Sequence, residues 1–154
     1  MGQATHEQAH LLLRLYELRR EPRLREARAW FLANFDAKSP EEVAQKYPPG
    51  SESNTSMRMV ITYWDMAAGL ANRGLIDDEL FFENSGEGFL VWDRVRPLLP
   101  GVRAAYQNPH AWGQLEAFGQ RMEAWQEKRA PGHVAAVRQM MSRTRPSAAK
   151  AASE

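Results

Sequence analysis

Between Thr55 and Arg73 the chain carries apolar residues on two sides of one helix, and nothing else in the sequence limits the fold so strongly. Projected at about 100° per residue, Met57, Val60, Ile61, Trp64, Ala68 and Ala71 form one stripe. Met59, Tyr63, Met66 and Leu70 form a second, nearly opposite, leaving a narrow polar sector of Arg58, Thr62, Asp65, Asn72 and Arg73. A helix apolar on two sides has to be covered on both, which places it at the centre of a helical bundle. Gly74 stands where a left-handed residue closes a helix, with Leu75 and Ile76 expected to fold back onto the core.

The flanking segments supply the cover. Thr5 and Gln8 make a capping box, and Leu11, Leu12, Leu15, Tyr16 and Leu18 recur at helical spacing, predicting a helix from about Thr5 to Arg20. Pro22 opens a second, with Leu24, Ala27, Trp30, Phe31 and Phe35 on its buried side. Ser39 caps a short third helix that Pro48-Pro49-Gly50 ends. After the central helix, Asp77-Asp78-Glu79 starts a short helix through Phe82, which the run Asn84-Ser85-Gly86-Glu87-Gly88 is expected to break. Phe89 to Leu99 forms another, ended by Pro100-Gly101. Asn108-Pro109 opens a longer one in which Ala111, Leu115, Phe118, Met122 and Trp125 make a single apolar seam, suited to a helical hairpin or a homodimer contact. Val134, Val137, Met140 and Met141 mark the last. The expectation is an all-α, bundle-like domain of about seven helices over residues 1–142, with a disordered C-terminal tail over 143–154.

Composition narrows the function classes. At 154 residues, 44% hydrophobic, with five Trp, six Phe and four Tyr, the chain has enough apolar surface for one core. The 20 Lys and Arg balance 19 Asp and Glu to a net charge of +1, so a dedicated nucleic-acid binder is not expected. The absence of cysteine excludes disulfides, thiolate metal sites and cysteine nucleophiles, and fits a cytoplasmic location. No apolar run reaches the length of a membrane span, and neither a signal-peptide layout nor a myristoylation pattern is present, His6 standing where the latter wants Ser or Thr. Neither membrane attachment nor a cofactor is expected.

Trp64-Asp65, the stop-start Arg73-Gly74-Leu75-Ile76-Asp77-Asp78-Glu79-Leu80 and Trp92-Asp93-Arg94-Val95-Arg96-Pro97-Leu98, in that order and spacing, resemble a bacterial family of small helical proteins known as a domain of unknown function. The resemblance covers roughly Met57 to Trp125. It implies an all-helical bacterial protein and carries no activity, cofactor or catalytic residue. Some relatives have an N-terminal membrane segment, in contrast to the amphipathic helix predicted here.

Several constellations invite chemistry. His6-Glu7-Gln8-Ala9-His10 matches HExxH, but no third ligand is convincing, Glu21 and Glu26 being nominated by spacing alone. Glu7-x-x-His10 is half of a di-iron signature that lacks its second half. No metal site and no catalytic residue are therefore assigned. Arg14, Arg19, Arg20, Arg23, Arg25 and Arg28 are interrupted by Glu17, Glu21 and Glu26, the pattern of a solvated face. Asp65 is expected to pair with Arg94 or Arg96, because an unpaired carboxylate at a helix junction is costly. The functional alternative is a sensor or enzyme with a small-anion pocket between the central helix and the Trp92 helix, with Arg94 and Arg96 binding, Asp65 nearby, and Trp64 or Trp92 as a wall. Leu115, Phe118, Met122 and Trp125 are the candidate interface with a partner protein or a second copy. The leading expectation is a non-enzymatic interaction or regulatory module.

Overall fold

Nine α-helices make up most of residues 3–144, which the computed structural model describes. They are α1 (His6–Arg19), α2 (Pro22–Asn34), α3 (Pro40–Lys46), α4 (Glu52–Asn72), α5 (Asp78–Glu83), α6 (Gly86–Val95), α7 (Leu99–Ala105), α8 (Gly113–Arg129) and α9 (His133–Thr144). A 3-10 turn over Arg96–Leu98 joins α6 to α7, and no strand occurs among the described residues. The fold is all-α, as expected, with more helices than the seven counted from the sequence.

Local chemistry starts most of these helices. Thr5 Oγ1 accepts the Gln8 N–H at 3.2 Å while Gln8 Oε1 accepts the Thr5 N–H at 3.2 Å, closing the capping box of α1. The Glu21 carboxylate caps α2 through the Leu24 N–H at 2.9 Å, and Ser39 caps α3 through Glu42 at 3.2 Å. Ser51 accepts the Asn54 N–H at 3.1 Å, so α4 begins at Glu52, ahead of the expected Thr55. Gly74, at φ 74°, ends it, and the Leu75 N–H reaches back to Leu70 O at 3.1 Å. Ile76 is buried as expected, whereas Leu75 remains half exposed.

The central position of α4 follows from its first stripe: Met57, Val60, Ile61, Trp64, Ala68 and Ala71 are all buried, and α2, α6 and α8 pack against the helix. The second stripe is covered less completely. Tyr63 is buried and donates its hydroxyl to Leu15 O at 2.7 Å, while Met66 is 44% exposed. The polar sector is a docking line for α8: Leu115 N–H donates to Asp65 Oδ1 at 2.9 Å, and Asn72 Nδ2 donates to Gln114 O at 2.9 Å.

Three expected breaks are placed differently. Ser85-Gly86-Glu87-Gly88 is the start of α6, because Gly88 lies under the Trp64 ring, where a Cβ would come within 2.6 Å of Cε3. Pro100-Gly101 lies in the first turn of α7, where proline has no helical hydrogen bond to lose. Pro109 to Trp112 form turns, so α8 begins only at Gly113, after Trp112 adopts a left-handed φ of 54°. The last helix continues through Arg143 and Thr144, past the boundary expected at 142; the rest of the predicted tail, 145–154, lies outside the described residues.

Gly119 of α8 meets the Trp92 indole so closely that any Cβ would overlap the ring. Gly119→Ala is expected to cost about 1 to 3 kcal/mol of stability by overpacking, measured by urea unfolding; an unchanged midpoint would show that the indole can move aside.

Candidate functional site

The sequence groups Trp64, Asp65, Trp92, Arg94 and Arg96 around one pocket; the structure keeps Trp92 and Arg96 together, on an open concavity of about 480 Å³ shared with Arg103 and Glu116, and places the others elsewhere. Trp64 fills the contact between α4 and α6, with its Nε1–H 3.3 Å from Glu87 Oε1. That carboxylate takes two hydrogen bonds from Arg28, at 2.7 and 2.6 Å, and Arg28 also donates to Arg19 O at the end of α1 at 2.8 Å. The bonds to Glu87 hold the Arg28 pKa above its ordinary value, against the opposing effect of burial. Four helices are tied at this point.

Asp65 corrects the expected ion pair. It reaches neither Arg94 nor Arg96; its carboxylate instead accepts the N–H of Leu115, in the first turn of a helix that has no side-chain cap of its own. A carboxylate there also complements the positive end of the helix dipole. Arg94 is buried and turns away, donating Nη1 to Phe31 O at 2.9 Å and Leu32 O at 2.7 Å near the C-terminus of α2. Arg96 lies on the surface, 3.6 Å from Asp93. Trp92 packs on Gly119. The space between α4 and α6 is occupied by Trp64 itself, which leaves no room for the anion pocket expected there.

The interface seam is corrected in the same way. Leu115, Phe118 and Met122 are buried in the chain's own core and have no surface to offer a second copy. Trp125 is half-buried, its ring 5.5 Å from that of Phe82, with the Arg129 guanidinium 4.6 Å from its centroid. Helical spacing identified a buried seam correctly, but could not say that its cover comes from the same chain.

The arginine run is divided between surface and interior. Arg14 pairs with Glu17 in solvent, Arg19 stacks over Tyr16 and Trp64, and Arg28 is committed to Glu87. His6, Glu7 and His10 lie exposed on the first turns of α1, and no cluster of three or more metal-ligating side chains occurs among the described residues. No described helix is long and apolar enough to cross a membrane.

Three other concavities have mainly apolar walls. A cleft of about 270 Å³ under α9 is lined by Asp36, Lys38, Asp93, Arg94 and Arg138. Arg138 is committed there to Glu123, at 3.0 and 3.2 Å, and to Asp93 at 2.9 Å; these bonds, Glu123 first, hold its pKa above the ordinary value. A cavity of about 340 Å³ lies among α1, α4 and α5. The third is a groove of about 570 Å³ lined from α3, α4 and α7 by Val43, Met57, Arg58, Ile61 and Val102, with Trp112 at its edge. The Arg58 guanidinium makes no hydrogen bond or ion pair among the described residues, and Tyr106, also on the rim, is 77% exposed. The turn that forms this rim contains both described non-glycine residues of positive φ, Gln107 at 48° and Trp112 at 54°. Sequence reasoning missed the groove because its walls come from three separate segments; only Arg58, the cation isolated on an apolar helix, gave a signal.

The model of the family described as Domain of unknown function (DUF4760) matches residues 4–122. No curated protein and no solved structure matches the chain.

Two measurements follow from the buried polar groups. Asp65→Ala removes a cap in trans and is expected to cost about 0.5 to 2 kcal/mol, with amide exchange accelerating first at Leu115. Uniform exchange along α8 would contradict that assignment. Burial pushes the Tyr63 hydroxyl from 10.0 to about 12, so the unfolded chain ionises first and stability falls as pH rises through that interval. Tyr63→Phe is expected to abolish this part of the alkaline loss while costing about 1 kcal/mol at neutral pH for the bond to Leu15 O, both read from urea unfolding near pH 8 and pH 11.

Proposed function

The chain belongs to the DUF4760 family, whose description assigns no activity, and we propose that it is a non-enzymatic protein-binding module whose groove between α3, α4 and α7 takes an amphipathic helix from a partner. The groove carries this reading. It is the largest of the concavities described above, it is mainly apolar, and it has one unpaired cation, Arg58, at its wall. Apolar grooves of this kind accept the apolar face of a helix as a row of anchors one turn apart. Arg58 adds a preference for an acidic residue on the flank of that helix. The left-handed residues of the rim hold Trp112 against the groove at a conformational cost, a feature that recurs where a surface is preformed for binding.

A cytoplasmic setting belongs to the same proposal and is compatible with the cysteine-free composition. The anion-sensor alternative has no comparable support, since Arg94 is spent on backbone carbonyls and Arg96 lies on another face.

Affinity capture from host lysate at about 0.15 M ionic strength, with and without nuclease, tests the reading when three baits are compared: the unaltered chain, Ala105→Glu in the groove, and Leu13→Glu on α1. The expected outcome is a stoichiometric, nuclease-resistant protein lost with Ala105→Glu, retained with Leu13→Glu, and weakened about tenfold or more by Arg58→Glu. A partner indifferent to Ala105→Glu, or no partner, overturns the proposal.

A further inference from the structure

The cavity among α1, α4 and α5 has a different character from the groove. Leu12, Tyr16, Ala67 and Phe81 make most of its wall apolar, and its polar lining includes Arg19, Ser85 and Asn84, whose amide is committed to Leu80 O at 2.8 Å. The side chains of Arg19 and Ser85 have no polar partner among the described residues. The Arg19 guanidinium lies 5.1 Å from the Tyr16 ring centroid and 5.3 Å from that of Trp64, yet makes no ion pair or side-chain hydrogen bond among the described residues. Stacking on rings occupies the faces of a guanidinium and leaves its N–H edges available to a carboxylate.

Ser85 is 2% exposed and stands at the N-cap of α6, a position where serine ordinarily accepts an N–H of its own helix. Here it makes no such bond, and its side chain has no hydrogen-bond partner among the described residues. Gln126 Oε1 alone is both fully buried and unpaired among the described residues, so the Ser85 hydroxyl keeps a little contact with the cavity it lines and is open there to a ligand. The first turn of α6 adds the positive end of a ten-residue helix, and the position of Gly86 within that turn opens onto free space.

We propose that this cavity binds a small organic acid, its carboxylate held by Arg19 and Ser85 at the start of α6 and its apolar body seated against Leu12, Tyr16, Ala67 and Phe81. The volume of about 340 Å³ lies at the small end of ligand pockets, matching a single aromatic ring or a short acyl chain. Charge selects a monoanion. Arg19 is the cation on the cavity wall, and Arg28 behind it is already answered by Glu87, so a single negative charge is what the site can balance. Tyr63, whose hydroxyl is committed to Leu15 O, adds only its ring. This site is separate from the α3, α4 and α7 groove, so the two proposals fail independently.

Titration of the full ¹⁵N-labelled chain with phenylacetate, octanoate, phenylacetamide and inorganic phosphate is the test. The acids are expected to give saturable shifts at the Ser85 and Gly86 amides and the Trp64 indole. Arg19→Gln should weaken binding about tenfold or more, while Arg23→Gln, an exposed arginine outside the cavity wall, should leave it unchanged. Ser85→Ala leaves the guanidinium in place and gives a second reading, a loss of about threefold to tenfold. The proposal is overturned if neither acid saturates, if the neutral amide binds as well as its acid, if phosphate alone binds, or if Arg19→Gln matches Arg23→Gln.

Discussion

Two tryptophans seated on two glycines set the spacing on which the rest of this molecule depends. Trp64 of α4 lies on Gly88 of α6, and Trp92 of α6 lies on Gly119 of α8, so each indole fixes the approach of the next helix. A glycine inside a helix costs about 1 kcal/mol relative to alanine, but burying an indole of about 200 Å² at about 25 cal/mol per Å² offsets that several times over. The polar arrangement follows from the same contacts. Because Trp64 comes down beside Gly88, its N–H meets Glu87, and Arg28 of α2 then approaches that carboxylate with two hydrogen bonds.

The polar residues most suggestive of chemistry in the sequence are employed in finishing helices. Asp65 supplies the cap that α8 lacks, and Arg94 satisfies carbonyls at the end of α2. Helix termini leave backbone groups unsatisfied, and in a tightly packed bundle neither water nor the local sequence can always reach them. Side chains from other helices then do so. Uncommitted polar side chains remain at Arg58 and in the cavity that holds Arg19 and Ser85, which is why the two binding proposals are placed there.

Local chemistry was readable from the sequence and long-range chemistry was not. Thr5 with Gln8, Ser39, and the stop at Gly74 act over three or four residues, and the structure places them as their spacing predicts. The first stripe of α4 was readable too, because burial of Val60, Ile61 and Trp64 depends on helical phase alone. Asn84 to Gly88 has the composition of a break, yet Gly88 serves a ring from α4 far back in the chain. The bond between Asp65 and Leu115 spans 50 residues, and its distance carries no periodic signature. The seam of Leu115, Phe118 and Met122 was visible as a seam, while the identity of its cover was a matter of tertiary packing.

Beyond Met122, where the family match ends, α8 continues to Arg129 and α9 follows with Val134 buried and Arg138 held between Glu123 and Asp93. These residues cover ground that the shared part of the fold does not cover for itself: Trp125 shields Phe82, and Arg138 lies over Phe89. Without them Phe82 would keep Phe118 and Arg121 but lose its cover on the Trp125 side, Phe89 would lose Arg138, and Asp93 would keep Arg96 alone. In this protein the final helix is thus a resident occupant of that face, seated by Val134 and latched by Arg138.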